Sequence, residues 1–209
     1  METLDKPENK ISKIVMNKGP SSKTAEGIAL HRLRESVRPE SERIFYDPYA
    51  IYFINPKILE FIRSNPDKSK AEVERYDHFL PGTVNSIVAR VRYFDDFVKK
   101  SIDEGFEQLI IMGAGYDSRA YRIEGMKKLK VFEVDHPETQ SSKIEKVRKI
   151  FTSLPDHVSY IPADLAADDL GRKLQDAGYN KSKKTLFLME GLLYYLSPRL
   201  VEIKSYPSY

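Results

Sequence analysis

The chain has 209 residues, with 34 Lys and Arg against 31 Asp and Glu, 41% hydrophobic residues and no cysteine. Its length suits one domain with an appended subdomain, and a formal charge of +3 is too small for a protein built on phosphate-backbone contacts, so nucleic acid is not expected as a partner. Without cysteine there is no disulfide framework, thiolate nucleophile or Cys-ligated metal.

Residues 1–20 mix charged residues, Asn and Pro with few apolar positions and read as a disordered tail. They also lack the continuous apolar region of a signal peptide. From Ser21 and Ser22, candidate caps, Ala25, Ile28, Ala29, Leu33 and Val37 recur at helical spacing. Asp47-Pro48 offers a cap followed by a first-turn proline, and Pro56 and Pro66 punctuate short helical pieces such as 57–63. Residues 21–82 thus read as a helical lid. The clearest helix spans 83–104, with Val84, Ile87, Val88, Val91, Phe94, Val98 and Ile102 on one face and Gly105 as its stop. Beyond it, apolar runs at 108–112, 131–134, 158–161 and 185–189 alternate with helical segments near 117–124, 137–151 and 167–177. That alternation predicts an α/β domain over 83–209, with a mostly parallel sheet and helices on both faces. The most apolar run, Leu186 to Leu196, is broken by Glu190 and Gly191 and falls short of the roughly 18–20 residues that cross a bilayer. A soluble, cytoplasmic protein without a membrane partner is expected.

Gly113-Ala114-Gly115 follows the run Leu109 to Met112 directly. A strand–Gly-x-Gly–helix junction lets backbone approach a ligand at the carboxyl edge of a sheet, although a tight turn without ligand would look the same. Asp135 ends the next strand, twenty residues after Gly115, where an acidic residue can accept hydrogen bonds from ribose hydroxyls. It could equally begin the helix that opens with Pro137. Glu133 is read as facing away from Asp135, so that only one of the two is a ligand. Ser118 stands where the dinucleotide fingerprint needs its third glycine, which disfavours a pyrophosphate and favours an adenosyl cofactor such as S-adenosylmethionine.

With those residues in view, the stretches 113–120 (GAGYDSRA) and 132–137 (FEVDHP) resemble the leucine carboxyl methyltransferase family, which includes polyketide-type O-methyltransferases. Glu35-Ser36 before 45–50 (FYDPYA), 90–96 (RVRYFDD) and 190–196 (EGLLYYL) match it too, so that the resemblance covers about 22–200. It implies a Rossmann-like class I methyltransferase with S-adenosyl-L-methionine as cofactor and no metal. It assigns Arg90 to the cofactor's carboxylate, Gly113 and Gly115 to close approach, Asp135 to the ribose, Asp164 and Leu165 to the adenine, and Glu190 to the amino group. Asp117 and Arg119 serve either the ligand or an ion pair holding the turn; Arg32 lines the carboxylate end or a solvated helix face. Tyr195, with its neighbour Tyr194, and His136 are catalytic candidates, against core and helix-start roles.

Methyl transfer needs alignment and exclusion of water. A carboxylate acceptor, from a small molecule or a protein C-terminus, is already ionised at neutral pH, whereas a hydroxyl needs a base that the sequence does not plainly supply. After Ser197-Pro198 the chain carries no further strand signal, so the sheet is expected to lack the family's C-terminal strands. Its open edge would then need a cover, of which a homo-oligomer is one. The alternatives are a truncated S-adenosylmethionine-binding protein without turnover and, disfavoured by Ser118, a dinucleotide-dependent oxidoreductase.

Overall fold

A computed structural model describes residues 23–193. The tail, Ser21, Ser22 and everything from Tyr194 onward lie outside them. Strands β1 (Gln108–Met112), β2 (Lys130–Asp135), β3 (Val158–Pro162) and β4 (Thr185–Met189) form one all-parallel sheet in the order β3-β2-β1-β4. Met112 lies beside Val134 on one side and Met189 on the other. In-register pairing therefore brings the carboxyl ends of β1, β2 and β4 to one edge of the sheet.

The first helices are α1 (Lys23–Ser36), α2 (Pro56–Ser64), α3 (Pro66–Phe79) and α4 (Thr83–Asp103). Three more lie between strands: α5 (Arg119–Arg122), α6 (Pro137–Ile150) and α7 (Leu170–Asp176). Every residue of β1 is buried, as expected of a central strand covered on both faces. Leu109, Ile111, Val131, Leu186 and Leu188 pack against Val98 of α4 and Ala120 of α5. Ile110, Met112, Phe132 and Val134 pack against Leu170 and Leu174 of α7. A third cluster joins Ala29 of α1, Phe53 and Val147 of α6 to Tyr116, whose ring stacks on Phe53 at 5.3 Å. Val37, read with the first apolar period, instead lies past the end of α1 and is exposed.

Several boundaries differ from the sequence expectation. Asp47 does not cap a helix starting at Pro48: its Oδ1 accepts from the Tyr49 amide, and a 3-10 turn begins only at Ala50. The cap-and-proline signal works instead at Asn55-Pro56, where Asn55 Oδ1 accepts from the Lys57 amide. The helical segment near 117–124 shrinks to the single turn of α5, because residues 113–118 turn tightly beside the sheet. Most consequentially, the buried stripe of α4 is not wholly apolar: Asp95 lies in it between Val91 and Val98.

Candidate functional site

The strand order sends the chain one way from β1 through β2 to β3 and the other way to β4. Among the described residues the strand order thus reverses beside β1, and such a switch point, at the carboxyl edge of the strands, is where open α/β sheets bind ligands. Gly113 (φ 65°) and Gly115 (φ 45°) turn the backbone there through the left-handed region, which side chains disfavour. A Cβ on Gly113 would come within 2.9 Å of Leu192, and one on Gly115 within 3.2 Å of Ala25. The left-handed turn demands glycine at both, and crowding adds to it: the Gly113 neighbour is the movable Cδ1 tip of Leu192, the Gly115 neighbour the Ala25 methyl.

Asp135 reaches this turn from β2, its Oδ2 accepting from the Gly115 amide at 2.5 Å and its Oδ1 from the His136 amide at 2.7 Å. Burial pushes its carboxyl above the ordinary range, and the two amides and Lys143 offset this only in part. Each oxygen keeps a lone pair for a further donor, such as a ribose hydroxyl. His136 sits at the start of α6 with an exposed side chain that makes no cap bond. Beyond β3, exposed Asp164 accepts from the Ala166 amide at 2.9 Å, while Leu165 packs against the cluster of Phe132 and Val134. Tyr194 and Tyr195 lie outside the described residues.

Glu133 corrects the sequence reading. Two residues apart on one strand, it and Asp135 share a face; what separates them is depth. Glu133 is fully buried, forms an ion pair with fully buried Lys143 at 2.7 Å and accepts from Tyr121 at 3.1 Å. The ion pair is close but poorly aligned as a hydrogen bond. Burial raises the Glu133 carboxyl above its usual range against the opposing pull of Lys143.

Beneath the glycine turn lies an ionic network of which the sequence offered only the Asp117–Arg119 ion pair, present at 2.6 Å. Arg32 donates to Asp47 at 2.8 Å and to the Tyr116 carbonyl at 2.5 Å and is buried, so it is not a solvated helix charge. The Ser118 hydroxyl donates to Asp47 and accepts from Arg122, which forks onto both oxygens of Asp95 at 2.6 and 2.7 Å. Arg119 donates to Asp95 at 2.8 Å, Asp117 at 2.6 Å and Glu190 at 2.7 Å. Glu190 also accepts from Arg90 Nε at 2.9 Å. Arg32, Arg90, Arg119 and Arg122 thus face Asp47, Asp95, Asp117 and Glu190, four cations against four anions. Burial opposes the charge on Arg119, but Asp117, Glu190 and Asp95 more than reverse it and raise its already high pKa. The clue in the sequence was positional: Asp95 falls on the apolar stripe of α4, where only a paired charge is tolerable.

The carboxyl edge of the sheet thus carries the turn at Gly113 and Gly115, the Asp135 carboxylate and the Arg90–Glu190 pair.

Comparison with known proteins identifies the family. A family model for leucine carboxyl methyltransferase matches residues 25–202. A Frankia alni protein is 32% identical over 173 residues, covering 83% of this chain and 58% of its own length. A Mycobacteroides abscessus protein is 39% identical over 173 residues, covering 83% and 57%. A third, from Mycobacterium sp. strain MCS, is 30% identical over 172 residues, covering 81% and 67%. The names of all three assign them provisionally to the S-adenosyl-L-methionine-dependent methyltransferases. The chain spans about six-tenths of the length of such relatives, 58% in the Frankia case. On the family match, which takes in both the glycine turn and the strand ends around it, this chain belongs to the leucine carboxyl methyltransferase family.

Proposed function

We propose that this chain binds S-adenosyl-L-methionine and serves methyl transfer to the oxygen of a carboxylate, or of a hydroxyl, on a small molecule or protein C-terminus. The observation that carries the reading is the convergence of Gly113, Gly115, Asp135, Arg90 and Glu190 on one sheet edge at the strand-order switch. Ser118 supports it over a dinucleotide: the side chain at the third-glycine position is buried and tied to Asp47 and Arg122. The cofactor supplies a methyl group activated on a sulfonium. The residues bind and orient: Asp135 takes the ribose hydroxyls, Asp164 and Leu165 the adenine, Arg90 and Glu190 the amino-acid end. A carboxylate acceptor arrives ionised and asks the protein for no base, only for alignment and exclusion of water. A cleft of about 520 Å³ between α1 and the start of α4, lined by His31, Arg34, Val84 and Val88, offers room for an acceptor next to the helix of Arg90.

Calorimetric titration with S-adenosylmethionine and NAD, followed by transfer of labelled methyl groups to a panel of carboxylic acids, tests the reading. S-adenosylmethionine binding with methyl-ester formation is the expected result. NAD binding without S-adenosylmethionine binding would overturn it, and binding without transfer would reduce the chain to a cofactor binder.

A further inference from the structure

The two cations on Glu190 are not equivalent. Arg119 is 4% exposed in its side chain and carries Asp95 and Asp117 as well, so it cannot leave Glu190 without disturbing buried charges. Arg90 is 36% exposed and holds Glu190 through Nε alone. Among the described residues its two Nη groups have no hydrogen-bond partner, and Nη2 lies toward Gly191, 3.9 Å from where a Cβ would stand. One carboxylate thus has a permanent counter-ion and a detachable one.

Resting on the cofactor reading above, we propose that Glu190 exchanges Arg90 for the ammonium of a zwitterionic adenosyl ligand, while Arg90 swings its fork onto the same ligand's carboxylate and Arg119 stays in place. The Arg90–Glu190 pair is then a protein-borne stand-in for the ligand's own pair of charges. The exchange breaks one charge-assisted bond and makes two of similar kind, and it leaves the balance of four cations and four anions intact. A ligand carrying only one of the two charges gains no such return. An ammonium alone strips Glu190 from Arg90 and leaves Arg90 with water. A carboxylate alone must compete with Glu190 for Arg90. The pair therefore selects the complete amino-acid tail over either half of it, and Arg119 is the positioning residue that keeps Glu190 aimed while Arg90 moves.

Four adenosyl thioethers test this by calorimetry on the full chain: S-adenosylhomocysteine, an aminopropyl analogue lacking the carboxylate, a carboxypropyl analogue lacking the amine, and uncharged 5′-methylthioadenosine. The proteins are wild type, Arg90→Met and Glu190→Gln, with each affinity taken relative to 5′-methylthioadenosine on the same protein so that a general loss of folding cancels. By the same count S-adenosylhomocysteine should keep its affinity to within a few-fold on both variants, since each loses the bond the ligand would break together with one of the two it would make. The half-ligands should gain. Arg90→Met, which frees Glu190, should bind the aminopropyl analogue several-fold tighter than wild type, and Glu190→Gln, which frees Arg90, should do the same for the carboxypropyl analogue. A merely structural ion pair gives no tightening, and half-ligands bound equally or more weakly by their variants would overturn the exchange. Failure of wild type to bind either S-adenosylhomocysteine or 5′-methylthioadenosine is a different result: it would remove the cofactor reading, and the exchange with it.

Discussion

Two sets of charges surround the glycine turn, made of the same residue types and built to opposite ends. Below the turn, Arg32, Asp47, Asp95 and Arg119 are buried and the Arg122 side chain nearly so, each holding several partners across long stretches of chain. On the rim, Arg90 and Asp164 are each bonded through one group only, while Asp135 and Glu190 use both carboxylate oxygens yet stay part-exposed, with lone pairs left for a further donor. The difference teaches that the network fixes where the turn and the strand ends lie, and the rim keeps bonding capacity in reserve. Position in the fold, not residue type, separates scaffold from site.

The contrast is broken most directly at Arg119. Arg119→Met leaves Asp95 and Asp117 short of a cation in the interior and should cost about 3–5 kcal/mol, lowering Tm by roughly 10 °C for a chain of this size. Arg90→Met removes a part-exposed partner and should cost about 1 kcal/mol or less. Thermal unfolding of the two variants side by side measures both. Equal losses would mean that the rim carries the fold as much as the network does.

The pair beneath Asp135 gives a somewhat smaller effect. Lys143→Met strands the Glu133 carboxylate, fully buried beside Tyr121, and should cost about 3 kcal/mol. The double variant Lys143→Met/Glu133→Leu removes both charges and should recover most of that loss, because apolar residues of similar volume replace a buried pair at little cost. A denaturant-unfolding double-mutant cycle reads the difference, and a double variant as unstable as the single would show that the pair's geometry, not its unmatched charge, is what the core needs.

How much of this was legible follows from the range over which each signal acts. Periodicity is local, and it located all four strands and α4 because a run such as Leu109 to Met112 or the spacing of Val88, Val91 and Val98 carries its own answer. The glycine turn and Asp135, the last residue of β2, were legible for the same reason, being tied to strand ends. The network was not. Arg119 meets Glu190 from 71 residues away and Arg90 meets it from 100, and no spacing rule reports such a meeting. Arg32 illustrates the ambiguity best, since a solvated helix arginine and one buried on Asp47 look alike in a list of letters. Asp47-Pro48 misled because a cap signal states only that a carboxylate can accept a nearby amide. Here it does so in a turn, and its other oxygen serves Arg32 and Ser118.

Acid should pull the two sets of charges apart. For Asp47 and Asp117 burial raises the carboxyl, but the guanidiniums of Arg32 and Arg122 in the first case and of Arg119 in the second more than offset it, and both end below the usual range. A depressed folded value means that their stabilisation is complete above the unfolded value near pH 4 and fades only as the pH falls further. Asp135 has the opposite sign. Burial raises it, so its ionised form costs stability when folded, and protonation on acidification relieves that cost while removing the anionic acceptor for ribose. From neutral pH down to about 4, affinity for S-adenosylhomocysteine should therefore fall while the contributions of Asp47 and Asp117 to Tm hold. Calorimetry and thermal melts over one pH series test this, and parallel decline of the two would deny any separation between rim and network.

The smallest effect falls on His136, and it separates a side chain from its backbone. The imidazole is exposed and makes no cap bond, so His136→Ala should change cofactor affinity by less than about twofold. The backbone amide is another matter, because it donates to Asp135 Oδ1 at 2.7 Å. His136 has φ −53° and ψ 140°, angles that proline adopts and that a residue before proline prefers. His136→Pro therefore deletes the N–H with little strain. With one of its two amide donors gone, the Asp135 carboxylate should become easier to protonate, since one hydrogen bond to a charged group is worth about 1–2 kcal/mol and each unit of pKa about 1.4. The acid limb of the affinity profile should move up by roughly one pH unit in the proline variant and stay put in the alanine one. An alanine variant that shifts as far as the proline variant would return the imidazole to the site and place His136 among the groups that touch the ligand.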